Sequence, residues 1–118
     1  LSGKLNRESS FAENDHRSFN RDGKAFNVGE TFSGLPYEKG LDLVENLKNN
    51  FQESLAPSSL RWVLDFDAVS VVIPGSKNPR QVIENCTASS LPSLSPAMHR
   101  TLSDFYKNEV SSHIRGKY

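Results

Sequence analysis

The run Val69-Ser70-Val71-Val72-Ile73, β-branched almost throughout and stopped by Pro74-Gly75, constrains this chain more than any other feature. A short apolar run of that kind forms a strand buried on both faces of a sheet. Such a strand cannot stand alone, because each backbone N–H and C=O needs a neighbouring strand and both faces need cover. No second run of comparable quality occurs in the 118 residues. The sequence therefore predicts one strand and its helices cut from a larger parallel-sheet protein. The opening on Leu1 rather than Met points the same way, to a truncated or processed chain.

The flanks supply the helices. From Tyr37 onward Leu41, Val44, Leu47 and Phe51 recur at spacings of three and four, with charged residues between them, which predicts an amphipathic helix. Ser54 fits the N-cap of a second helix with Pro57 in its first turn; it carries Leu60, Val63 and Leu64 and ends near Asp67. Trp62 on that helix reads as a core residue. Asn78-Pro79-Arg80-Gln81 reads as a third start, with Asn78 as cap, Pro79 at the first position and Gln81 completing a capping box. Its apolar side is Val82, Ile83 and Cys86. Ser95-Pro96 opens a fourth helix with the stripe Met98, Leu102, Phe105 and Tyr106. Residues 1–36 hold neither period and read as one irregular loop, longer than the about 15 residues usual in compact domains. Phe11, Phe19, Phe26 and Phe32 mark it as a loop that packs onto something. The expected organisation is loop 1–36, then helix, helix, strand, helix and helix over 37–112, all in one partial α/β domain over 1–118.

Composition narrows the function classes. Fourteen Lys and Arg balance fourteen Asp and Glu, so no net field draws the chain to nucleic acid or to an anionic membrane surface. Hydrophobic residues make up 36%, and the mean hydropathy of −0.55 places the chain on the polar side of soluble proteins. The longest apolar stretch, Val71-Val72-Ile73, falls far short of the about 20 residues of a spanning helix, and no signal segment opens the chain. A cytoplasmic protein is expected. The single Cys86 has no disulfide partner and reads as a small packed side chain.

One place could carry chemistry. A strand ending in Pro74-Gly75-Ser76 and followed at once by a helix start is where backbone N–H groups and the helix dipole meet a phosphate, and Lys77 and Arg80 add positive charge. The segment matches neither G-x-G-x-x-G nor G-x-x-x-x-G-K-[ST], so on local grounds an ordinary βα turn with a solvated Lys and Arg is the better account. Asp15-His16-Arg17 reads as a loop charge cluster, since adjacent residues seldom converge on one atom. His16, His99 and His113 lack metal-ligand spacing, and no G-x-S-x-G elbow occurs.

Ser59-Leu60-Arg61-Trp62-Val63-Leu64-Asp65, then Val69 to Ser76, then Gln81-Val82-Ile83-Glu84-Asn85, resemble the last barrel strand and its flanking helices in the aldo-keto reductases. Leu1-Ser2-Gly3-Lys4 resembles the segment just after the seventh strand. Asp15 to Gly23, with Val28-Gly29-Glu30-Thr31-Phe32, resembles the long loop of a bacterial-type branch. The resemblance implies the C-terminal portion of a (β/α)8 barrel, with the long loop after strand seven, strand eight and a terminal helix. It also implies hydride transfer from NADPH to an aldehyde or ketone, with a Tyr proton donor assisted by Lys, Asp and His that lie upstream of Leu1. Tyr37 and Tyr118 do not match that Tyr, so no catalytic residue and no metal ligand is expected here. The cofactor residues that carry over are Lys4 near the pyrophosphate, Gly75, Ser76 and Lys77 around the 2′-phosphate, and Gln81, Glu84 and Asn85 at the adenosine. Some branches have Lys in place of Gly75 and Arg in place of Gln81; Lys77, with Arg80, is the replacement clamp. Two other readings go with the resemblance: a nucleotide-binding regulatory subunit related to potassium-channel β subunits, and a nonfunctional truncated product. The carbonyl substrate and the oligomeric state are not legible.

Overall fold

The structure is a computed structural model that describes residues 3–51 and 54–116. Its first third is built around polar side chains. Asp15, in extended backbone, accepts from the Arg17 amide at 2.9 Å and starts α1 (His16–Phe19), a single turn. The next residue, Asn20, is fully buried. Its Oδ1 accepts from the amides of Ala25 and Phe26, and its Nδ2 donates to the Phe26 carbonyl and to Thr31 Oγ1. Four bonds from one amide side chain fold residues 20–31 into a closed loop and satisfy backbone groups that no ladder serves. A 3₁₀ turn over Thr31–Gly34 ends it, with Phe32 and Ser33 both in the left-handed region at φ 54° and 56°.

α2 (Tyr37–Lys48) follows Pro36 and buries Tyr37 and Leu43. The loop aromatics pack onto its first residue: Phe32 and Phe11 lie 4.8 and 6.1 Å from the Tyr37 ring. The Tyr37 hydroxyl donates to the Asn6 carbonyl at 2.6 Å, and the Arg21 guanidinium covers the ring at 4.5 Å. α3 (Leu55–Leu64) starts after Ser54 as predicted, although the Ser54 hydroxyl makes no capping bond. α4 (Pro79–Thr87) and α5 (Pro96–Phe105) start where the Asn-Pro and Ser-Pro pairs place them. α5 runs on through a π turn, Tyr106–Val110, and a 3₁₀ turn, Ser111–His113. This winding brings the end of the chain back to the loop, where the Arg115 amide donates to the Gly34 carbonyl at 2.8 Å and its guanidinium donates to the Arg21 carbonyl at 3.1 Å. Gly34 is required there. At φ 73° a Cβ is strained, and it would sit 2.8 Å from the Arg115 carbonyl oxygen.

The predicted strand is not present. Residues 69–76 run without regular structure, no strand occurs among the described residues, and the architecture is helical rather than α/β. The reason is the one that made the run conspicuous in the sequence: it has no neighbour to pair with, and Val71 and Ile73 stand 67% and 88% exposed. The same lack uncovers Val82 and Ile83 on α4 and leaves Cys86 exposed rather than packed. α2, α3 and α5 face one another across an apolar groove of about 660 Å³, lined by Leu43, Val44, Trp62, Phe66 and Leu102 among others. The radius of gyration is 15.4 Å, against about 13.5 Å for a compact domain of this length, so the helices do not close into one core.

Candidate functional site

The irregular segment 69–76 delivers Ser76 and Lys77 to the start of α4. Asn78 caps the helix through Oδ1, which accepts from the Gln81 amide at 3.0 Å, and Pro79 occupies the first turn, where its missing N–H costs nothing. Gln81 reaches back as a capping-box residue does, but one position further than expected: its Oε1 accepts from the Lys77 amide at 2.7 Å rather than from Asn78. One turn along, Asn85 Nδ2 donates to Ser76 Oγ at 3.0 Å. The i, i+4 spacing of Gln81 and Asn85 puts both amides on one helix face. Together they hold the Ser76-Lys77 corner against α4.

The predicted residues thus divide. Ser76, Lys77, Gln81 and Asn85 are joined by hydrogen bonds, and Gly75 precedes them in open space, where an added Cβ would meet nothing within 4 Å. Glu84 is turned to Arg80, whose Nε donates to its Oε1 at 2.8 Å. Lys4, exposed near the other end of the chain, enters none of these bonds. Among the described residues the Lys77 ammonium has no partner.

The donor set can meet an anion. Lys77 and Arg80 supply charge and Ser76 a hydroxyl. The Arg80 amide is the first-turn donor that the cap does not take. An anion suits these groups. Among the described residues no three His, Cys, Asp or Glu come together.

Two further clusters are structural. Asp15 is bound by the Arg17 side chain, whose hydrogen bonds hold its carboxyl well below the usual range, so Asp15-His16-Arg17 is a helix cap. The sequence reading passed over Asp65, whose side chain is only 4% exposed. It accepts from Arg61 Nε at 3.0 Å, the Leu94 amide at 2.8 Å and His99 Nε2 at 3.1 Å. The i, i+4 spacing of Arg61 and Asp65 was its one sequence signal.

Among models of protein families, residues 1–107 match the one described as the aldo/keto reductase family. No curated protein and no solved structure matches the chain. Among the described residues no helix is long and apolar enough to cross a membrane.

Proposed function

Since the chain belongs to the aldo/keto reductase family, whose members generally use NAD(P)H and act on carbonyl substrates, we propose that it serves the NADPH-dependent reduction of aldehydes or ketones to alcohols, with residues 75–85 holding the cofactor's 2′-phosphate and adenosine. The observation that carries this reading is the corner at α4. Ser76 and Lys77 are fastened to the helix start by Asn85 and Gln81, which leaves the Lys77 ammonium to meet a charge from outside. Holding the corner in advance reduces the ordering cost of binding.

NADPH, when bound, supplies the hydride. The work of this chain's residues is to seat and orient it: Lys77 and the Arg80 amide toward the 2′-phosphate, Gln81, Glu84 and Asn85 toward the adenosine, and Lys4 toward the pyrophosphate. No residue of this chain is assigned to proton donation. In the (β/α)8 barrel typical of the family, Val69–Ile73 becomes the last strand, and neighbouring strands cover the side chains that stand exposed here.

The test is the ratio of NADPH to NADH dissociation constants in the full-length protein and its Lys77→Ala variant. The two cofactors differ only in the 2′-phosphate. A charge-assisted contact at an exposed site is worth about 1.5 kcal/mol, so the variant should lose about ten-fold in preference for NADPH. An unchanged ratio would place the 2′-phosphate elsewhere.

A further inference from the structure

Resting on the reading of residues 75–85 given above, the geometry points to Glu84 as a specificity-determining residue that acts through Arg80 to hold down the preference for a 2′-phosphorylated cofactor. Two cations flank the start of α4, and they are not equivalent. Lys77 sits in the loop with its ammonium unpartnered among the described residues, whereas Arg80 donates through Nε to Glu84 Oε1 at 2.8 Å. The partners are one helical turn apart, so the contact draws the guanidinium along α4, away from the Ser76-Lys77 corner. Among the described residues nothing else fixes Arg80, whose side chain is 87% exposed. From Gly75 to Thr87 the charged residues are Lys77, Arg80 and Glu84 alone. With Glu84 ionised the corner carries one net positive charge, and without it two.

Removing the carboxylate has two effects on a bound 2′-phosphate: the guanidinium is free to swing toward the helix start, and a like charge next to the phosphate is gone. A cofactor that lacks the 2′-phosphate gains nothing from either. The prediction is therefore a gain of discrimination. The adenosine contact given to Glu84 above is common to both cofactors and cancels in the ratio, so only the carboxylate's charge and its pairing with Arg80 can move it.

The experiment measures NADPH and NADH dissociation constants by calorimetric titration of the full-length protein, as wild type, Glu84→Gln, Arg80→Gln and the double variant, at low and at high salt. Glu84→Gln keeps the side chain's size and should raise the NADPH preference about two- to five-fold at low salt, the scale of one exposed ion pair. High salt should shrink the gain. In the Arg80→Gln background the gain should fall by more than half. A ratio that stays constant or falls in Glu84→Gln, or that rises equally without Arg80, overturns the assignment. Lys77→Ala separates the two levels: if it shifts the ratio and Glu84→Gln does not, only the role of Glu84 fails. If neither does, or if the wild type binds neither cofactor, the reading of the site itself fails.

Discussion

His99 Nε2 stands 3.1 Å from Asp65 Oδ2 and fastens α5 to the end of α3. An ionised carboxylate only accepts, so the Nε2 atom carries the proton. Arg61 and the Leu94 amide fill the other positions, and the Phe66 ring lies edge-on to His99 at 5.6 Å. Burial on its own raises the pKa of Asp65, but the bonds from Leu94, His99 and Ser93 and the charge of Arg61 outweigh it and hold the carboxyl below the ordinary aspartate range. Because the folded value is the lower one, the junction contributes in full above the ordinary aspartate range and is lost as pH falls through the folded pKa. The Leu94 amide resonance should therefore hold its position at pH 5 and move only below about pH 4. At neutral pH Asp65→Asn should speed exchange of that amide about 10- to 150-fold, equivalent to about 1.5–3 kcal/mol for bonds to a charged acceptor. Exchange at the wild-type rate would show that the junction does not depend on the charge.

Asn20 organises the long loop. Its Oδ1 takes two amides and its Nδ2 serves two acceptors, with no part of the side chain reaching solvent. Asn20→Ala should destabilise residues 20–31 by about 1–3 kcal/mol, because the Ala25 and Phe26 amides are left without an acceptor. Asn20→Asp should be worse, since one oxygen of a buried carboxylate would then face the Phe26 carbonyl. Limited trypsin cleavage at Arg21 and Lys24 reports the change. Equal cleavage of all three proteins would show that the loop is held by other contacts.

What the sequence made legible follows from how local each signal is. Asn78-Pro79 and Ser95-Pro96 fix helix starts through one side chain and one ring, and both stand where expected. The corner at Ser76-Lys77 was half legible: the residues were nominated by resemblance, but the return of Gln81 to Lys77 rather than Asn78 depends on a loop path that no spacing encodes. The long loop gave no period because polar side chains, not an apolar stripe, order residues 20–31; Asn20 and Thr31 are 11 residues apart and follow no repeat. Phe11 and Phe32 are anchors as expected, on a target, Tyr37, that only the fold defines, whereas Phe19 and Phe26 pack against each other and stay exposed. Val69–Ile73 was read correctly in its chemistry and not in its state. β-Propensity describes what a segment does beside a neighbour, and these residues have none here.

That unpaired run decides how the 118 residues behave in isolation. Val71 and Ile73 stand in water, Val82 and Ile83 join them, and the groove among α2, α3 and α5 is apolar along most of its wall. Fully burying one Val or Ile side chain is worth about 1.5–3 kcal/mol, so leaving four exposed forgoes an amount comparable with the whole stability of a small domain. α2, α3 and α4 are 12, 10 and 9 residues long, no longer than the about 12–15 below which isolated helices are marginal in water. The isolated chain should therefore lose ellipticity gradually on heating, without a cooperative transition, and should bind a dye that fluoresces on apolar surface even at 25 °C. The Asn20-centred loop should be among its last protected regions, since that loop depends least on apolar cover. A single sharp calorimetric transition with no dye binding would mean that the chain closes its own core, and that Val69–Ile73 needs no sheet.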